Sequence, residues 1–304
     1  MTFVTAPAST SLRSPAPASP APAPAPTTPR SPAPVRTRRL FGLDFVDDVS
    51  VDATVERLLA EQADADTEPV VFTPNVDTIV RLGELEPDGV ADRLRNARYI
   101  LPDGQPIVWM SRLVNQPLRA RLTGADLVPP LWHRIVADGR RAMVVAASDE
   151  VVTVLRGEQP SLAACVPPLF DPADPWALAD VVETCAEVID GAAPEFVFVG
   201  ISSPKQQLLA LALIDRLRRE GRRPPVFLLI GGAFDMYVGR TQRAPLWMQR
   251  AGAEWFYRFL VEPRRLFRRY FVEDLRFLTL AAHELQAARA ARNGVRLGPA
   301  RSLS

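Results

Sequence analysis

One carboxylate, a hydroxyl, an amide, the only lysine and a pair of glycines each sit just after a short apolar run. Thr73-Pro74-Asn75 follows the second run, Pro102-Asp103-Gly104 the third, Ala147-Ser148-Asp149 the fourth, Gly200 to Lys205-Gln206 the fifth and Gly231-Gly232 the sixth. Where a sheet is built from parallel strands, ligands gather at the carboxyl ends of the strands. A cleft rimmed by these residues suits a polyhydroxylated, phosphorylated ligand: Thr73 and Asn75 can hold hydroxyls, Asp103 can take a proton, and adjacent glycines let backbone N–H groups approach an anion. Each has a plainer reading as well. Asp103 fits a Pro-Asp-Gly turn, Asn75 a helix cap and the glycines a strand-to-helix turn.

The elements that must carry these residues alternate. Apolar runs at 39–45, 69–72, 98–101, 142–146, 196–199 and 226–230 read as strands, and 51–62, 76–86, 106–114, 124–137, 149–157, 175–190 and 204–220 read as helices. Continuous runs such as Val226-Phe227-Leu228-Leu229-Ile230 belong to strands covered on both faces. The pattern predicts an α/β fold with a Rossmann-like, mostly parallel sheet, helices on both faces and a C-terminal helical appendage. No Gly-X-Gly-X-X-Gly follows an early strand, which argues against a dinucleotide oxidoreductase.

Composition divides the chain into three parts. Residues 1–38 are a Pro/Ala-rich arm too poor in large apolar side chains to offset the entropy of ordering, so a disordered, partly polyproline II arm is expected. Residues 39–254 form the main domain, and 255–304 an Arg-rich amphipathic appendage with ten arginines against four acids, within a chain of net charge +1. Nucleic acid is not an expected partner. No secretory signal or membrane span is legible, so the expected location is cytoplasmic. Cys165 and Cys185 lack metal-ligand or redox-motif spacing and read as buried thiols. Asp64-Ala65-Asp66 precedes an apolar run instead of following one, so it reads as a solvated loop and no metal is expected.

At 100° per residue, Arg264, Arg265, Arg268, Arg269 and Arg276 fall on one side of a helix beginning near Pro263. Leu266, Phe267, Tyr270, Phe271, Phe277, Leu278 and Leu285 fall on the other. Such a helix can lie in the headgroup layer of an anionic membrane, or its apolar side can pack on the domain while the arginines face water.

Five segments in order carry a resemblance: Thr73-Pro74-Asn75, Leu101-Pro102-Asp103-Gly104, Arg121-Leu122-Thr123-Gly124-Ala125-Asp126, Pro204-Lys205-Gln206, and GGAFDMYVGRTQRAP...AEWFYRFLVEPRRLFRRY from Gly231 to Tyr270. Over about residues 40–275 the chain resembles the WecG/TagA/CpsF glycosyltransferases. The resemblance implies an inverting transfer from a UDP-sugar to a polyprenyl-diphosphate-linked saccharide, in cell-surface polysaccharide assembly at the inner face of the plasma membrane. Asp103 is then the base, with Thr73 and Asn75 lining the site. Arg121, Gly124, Asp126, Lys205, Gln206, Gly231, Gly232, Asp235, Arg240, Arg243, Arg258 and Arg264 are then the substrate-binding set, with no cofactor. Guanidinium forks and backbone N–H groups would stabilise the leaving diphosphate. A homo-oligomer is compatible with the sequence.

The chain departs from the family pattern at Ser202-Ser203, Gln207, Ala146-Ala147-Ser148 and Pro167-Pro168-Leu169-Phe170. These changes leave the donor sugar open. They also leave open a second reading, a catalytically silent relative that binds a nucleotide or partner at the membrane.

Overall fold

The computed structural model describes residues 35–60, 67–85, 89–261, 263–264 and 275–292. The N-terminal arm, the Asp64-Ala65-Asp66 segment and most of the arginine face expected between 264 and 276 lie outside the described residues.

Eight strands form one sheet: β1 (Thr37–Leu40), β2 (Leu43–Val46), β3 (Glu68–Phe72), β4 (Ala97–Ile100), β5 (Ala142–Ala146), β6 (Ala163–Cys165), β7 (Phe196–Gly200) and β8 (Val226–Leu229). Their order is β1-β2-β4-β3-β8-β7-β5-β6, and every pair except β1–β2 is parallel. The α/β, mostly parallel expectation is met. One strand was expected over 39–45; instead Phe41 and Gly42, at φ 53° and 73°, fold that stretch into a hairpin. The short edge strand β6 was not anticipated.

Strand side chains alternate between two cores. Val70, Phe72, Met143, Val145, Val197, Val199, Phe227 and Leu229 face one layer, and Val71, Val144, Phe198 and Leu228 the other. The first layer is built by α2 (Val76–Leu82), α3 (Val90–Arg95), α4 (Gln105–Leu113), α7 (Pro175–Ala192) and α8 (Lys205–Arg219). The second is built by α1 (Val51–Ala60), α5 (Gly124–Ala137), α6 (Asp149–Glu158) and α9 (Ala233–Tyr237). Every residue of β3, β5 and β7 is buried, which is why these strands read as unbroken apolar runs.

The chain enters the sheet centre at β3, adds β4 on one side, then crosses to the other half before returning with β8 beside β3. That reversal opens a crevice at the carboxyl ends of β3 and β8. Two more short helices follow α9, α10 (Leu246–Arg250) and α11 (Glu254–Val261), and then α12 (Leu275–Arg292). Part of α12 lies on the domain. Phe277 is buried with its ring centroid 5.2 Å from that of Phe41, and Ala281, Leu285 and Ala288 pack on the same core. Burial pushes the Glu284 carboxyl up, partly offset by a backbone hydrogen bond with Phe41 and the charge of Arg39. Leu278, by contrast, is exposed.

Cys165 and Cys185 are buried free thiols, as expected, with Cys185 Sγ donating to Cys165 Sγ at 3.2 Å.

Candidate active site

Four strand ends are fastened to one another at the sheet centre. Thr73, just past β3, donates its hydroxyl to the Leu229 carbonyl of β8 at 2.7 Å. Gly124 opens α5 so close to this junction that a Cβ would stand 3.3 Å from the Ile230 oxygen and 3.6 Å from Thr73 Oγ1. A glycine here lets the helix start against the strand end. Asp103, past β4, is half-buried and accepts the Gly124 N–H through Oδ2 at 3.4 Å, while its own N–H donates to the Pro74 carbonyl at 3.3 Å. From β7, Gln206 accepts the Gly231 N–H through Oε1 at 3.0 Å. The fold therefore brings together Thr73, Asp103, Gly124, Gln206 and Gly231, five positions spread over more than half the chain.

The glycine pair differs from expectation. Gln206 already engages the Gly231 N–H, so Gly232 supplies the donor that no hydrogen bond among the described residues occupies. Gly231, at φ 52°, makes the turn that a side chain would strain. Asn75 caps α2, its Oδ1 accepting from Thr78 N at 3.0 Å and Thr78 Oγ1 at 3.1 Å. Its carbonyl is thus structural, and its amide N–H₂ is what remains for a ligand.

Two guanidinium groups gather on Asp126, in the first turn of the helix that Gly124 opens. The backbone N–H of Leu122 donates to Pro102 at 3.0 Å, placing Arg121 on the loop that abuts Asp103. Arg121 reaches Glu254 at 3.2 Å and Asp126 at 3.4 Å; Arg243 reaches Asp126 at 2.7 Å and Glu254 at 3.4 Å. Burial works against the charge of Arg243, but the hydrogen bond and charge of Asp126, with Glu254 behind it, outweigh burial and hold its pKa above the usual arginine value. Thr123 caps α5, accepting from Asp126 N at 3.0 Å and donating to Asp126 Oδ2 at 2.7 Å, which fixes the carboxylate. That cap was readable in Thr123-Gly124-Ala125-Asp126 as a Thr-X-X-acid signature.

Arg240 belongs to a second cluster, bonded to Asp235 at 2.6 Å, Ser148 Oγ at 2.9 Å and Glu150 at 2.7 Å. It joins the turn after β5 to the segment after the glycine pair. Lys205 Nζ donates to the Phe170 carbonyl and lies 4.8 Å from that ring's centroid, anchoring the 166–170 segment. The Arg258 side chain is outside the described residues, and Arg264 is exposed. No group of three or more His, Cys, Asp or Glu among the described residues is arranged to hold a metal ion.

Glu254 is the functional candidate that sequence reasoning missed, and it is the first residue of α11. What seats α11 is Gly252, whose φ is +74° and whose Cβ, if present, would lie 2.5 Å from Gln105 Cγ and 2.9 Å from Gln105 Cβ. Substituting Gly252→Ala costs about 1–2 kcal/mol for the left-handed backbone alone, with the collision in addition. The expected result is faster proteolytic cleavage within 246–261 at an unchanged circular dichroism spectrum; cleavage at the wild-type rate would show that the turn tolerates a side chain.

The family described as "Glycosyl transferase WecG/TagA/CpsF family" matches residues 38–291. Relatives named N-acetylglucosaminyldiphosphoundecaprenol N-acetyl-beta-D-mannosaminyltransferase are similar to this chain. That of Bacillus subtilis (strain 168) is 30% identical over 57% of this chain and 65% of its own length. That of Bacillus spizizenii is 27% identical over 76% of this chain and 86% of its own. That of Staphylococcus aureus (strain NCTC 8325 / PS 47) is 24% identical over 75% and 85%.

Proposed function

Because the chain belongs to the WecG/TagA/CpsF family of glycosyl transferases, we propose that it moves an N-acetylhexosamine-type sugar from a UDP-sugar to a polyprenyl-diphosphate-linked saccharide, with inversion, in cell-surface polysaccharide assembly. The observation that carries this is the placement of Asp103: a half-buried carboxylate at a strand exit, bonded to the Gly124 N–H at the start of α5, the helix whose Asp126 pairs with Arg121 and Arg243. The relatives' printed name, which specifies an N-acetylmannosaminyl group and a lipid-diphosphate acceptor, supports the substrate classes.

In this reading the acceptor hydroxyl attacks the anomeric carbon from the side opposite the leaving group, and Asp103 takes the hydroxyl proton as the new C–O bond forms. The bond between the anomeric carbon and the phosphate oxygen breaks, and its electron pair leaves with the nucleoside diphosphate. Arg121 and Arg243 offset that charge with planar forks, so the transfer runs on fixed cations. The Gly232 N–H adds a donor. Gly124 N–H holds Asp103 Oδ2 at the start of α5. Thr73 acts by locking β3 to β8, and Asn75 offers its amide N–H₂ to sugar hydroxyls or the acetamido group.

A panel of UDP-sugars, offered with a short-chain polyprenyl-diphosphate-linked N-acetylglucosamine, tests the reading directly. Turnover with an N-acetylhexosamine donor and an inverted product is expected; no turnover with any donor would favour the catalytically silent relative.

The site of action is proposed to be the membrane surface. Among the described residues no helix is long and apolar enough to cross a bilayer. Leu246 and Trp247 of α10 are each 68% exposed, and Leu260 and Val261 of α11 are also exposed, which suits shallow insertion beside an Arg-rich segment. Trp247→Ser with Leu260→Ser is expected to lower binding to vesicles containing anionic lipid, with binding to neutral vesicles weak throughout. Undiminished binding would assign those side chains elsewhere.

A further inference from the structure

The four-membered cluster of Arg121, Arg243, Asp126 and Glu254 is unevenly made. Arg243 meets Asp126 at 2.7 Å, the length of a strong charge-assisted hydrogen bond. Each contact of Glu254 is longer: 3.2 Å to Arg121 Nη1, 3.4 Å to Arg243 Nε and 3.4 Å to Arg243 Nη2. Asp126 is held further by the Thr123 hydroxyl and by its place in the first turn of α5. Glu254 is held by the arginines and by what seats α11. The cluster therefore has a firm acid and a loose one, serving two guanidiniums.

The charges balance only while both acids are present. Two arginines and two carboxylates sum to zero, so the cluster as it stands offers an incoming anion no net attraction. If Glu254 withdraws, two guanidiniums face one carboxylate, leaving a net positive charge. A diphosphate brings more charge and more acceptor oxygens than a carboxylate, and can meet both forks at the shorter distance. The cluster keeps partial contact with solvent, the Arg121, Glu254, Arg243 and Asp126 side chains being 16%, 16%, 24% and 26% exposed.

Much of the apolar surface of the segment that Glu254 anchors faces solvent. Of 246–261, Met248 is buried and Gly252 rests on Gln105 and Trp109, while Leu246, Trp247, Leu260 and Val261 face outward. Few buried apolar contacts place a segment at the low end of local stability. Gln105 and Trp109 belong to α4, the helix directly after Asp103-Gly104, so a displacement of 246–261 alters the wall of the same crevice.

We propose that Glu254 is a latch: its carboxylate stands where a substrate phosphate will sit, and a diphosphate displaces it from Arg121 and Arg243, freeing residues 246–261 from the mouth of the site. The proposal rests on the glycosyltransferase reading for its ligand and adds that binding and release of the C-terminal segment are coupled through one side chain. Glu254 is a positioning residue, since it acts through the two arginines and α11. The diphosphate can come from the nucleotide donor or from the lipid acceptor, and both present the same oxygens to the forks.

Hydrogen exchange of the full chain resolves the proposal. Inorganic pyrophosphate, UDP and farnesyl diphosphate are added separately at constant ionic strength, with sodium chloride as the screening control. At least one diphosphate is expected to speed amide exchange within 254–261 about tenfold, and chloride to leave it unchanged. Response to UDP assigns the latch to the donor, and response to farnesyl diphosphate to the acceptor. Glu254→Gln is expected to exchange rapidly in this segment without ligand and to bind pyrophosphate about tenfold more tightly. The latch is overturned if all three diphosphates leave 254–261 as protected as before, or if a folded Glu254→Gln protein binds pyrophosphate no better than wild type. If that variant does not fold, the wild-type exchange alone decides. Turnover measured on the same preparation separates the two claims: unchanged exchange with intact turnover removes the latch only, and an exchange response without turnover removes the transfer reading only.

Discussion

Asp103→Asn lowers kcat for sugar transfer by about 10²–10⁴-fold with little change in KM, the span expected for loss of a general base. The substitution isolates the proton transfer. An asparagine oxygen can still accept from the Gly124 N–H, 3.4 Å from Asp103 Oδ2, so the start of α5 should stay in place. Arg121 and Arg243, which neutralise the leaving group in the proposed mechanism, are untouched, and donor affinity should follow them. The measurement is a steady-state comparison using the best donor from the panel, beside thermal unfolding of both proteins. Equal kcat in a folded Asp103→Asn protein would remove this residue as base and with it the proposed mechanism.

Trp132→Ala is expected to have the largest effect on stability. Trp132 has no solvent exposure, and its ring meets Phe198 and Phe234 edge-on at centroid distances of 6.1 and 5.6 Å. Its indole N–H donates to Glu158 Oε2 at 2.5 Å. Truncation of a core tryptophan costs about 3–5 kcal/mol, and in a chain of this size that lowers Tm by on the order of 10 °C. Glu158 also accepts from the Tyr237 hydroxyl at 2.9 Å, and burial, followed by that carboxylate, pushes the Tyr237 phenol up to about 12. The cluster thus pins both ends of α9, the helix that starts right after Gly232. Loss of Trp132 should therefore reduce transfer as well as stability. Trp132→Phe keeps an aromatic ring but loses the N–H and part of the indole volume, and is expected to cost about 1–3 kcal/mol. A melting temperature within a degree or two of wild type for Trp132→Ala would mean that this core repacks freely.

The strand ends were legible because burial on both faces leaves an uninterrupted apolar run, and the polar residue that follows such a run marks its exit. That logic found Thr73, Asp103, Gln206 and Gly231, which the fold does gather. It does not reveal pairing. Gly231 was expected to offer its N–H to an anion, yet a glutamine 25 positions earlier holds it. Asn75 was weighed between ligand and cap, and the cap occupies its oxygen. Glu254 lay hidden because its partner Arg121 is 133 positions away, and no local periodicity marks an acid within an aromatic run. Arg39 to Phe45 read as one strand since nothing in its composition announces a positive φ at Phe41. Ala163-Ala164-Cys165 was passed over because three small residues carry no pattern. The C-terminal amphipathic helix was expected to lie on a membrane or on the domain; for Phe277 and Leu285 the domain is the observed contact.

The hydroxyl of Thr73 meets an acceptor 156 positions further along the chain. The two central strands are thus born far apart: β3 emerges from the ribosome early and must wait for Leu229 before its inner edge is covered. Until then β3 and β7 each present unpaired backbone to the surroundings, the condition under which strands find wrong partners. A nascent chain ending before residue 226 would have Asp103 and both Gln206 and Lys205, yet no crevice to place them in. The crevice is therefore completed abruptly, when β8 slides into the middle of the sheet, and the same event covers the exposed edges of β3 and β7.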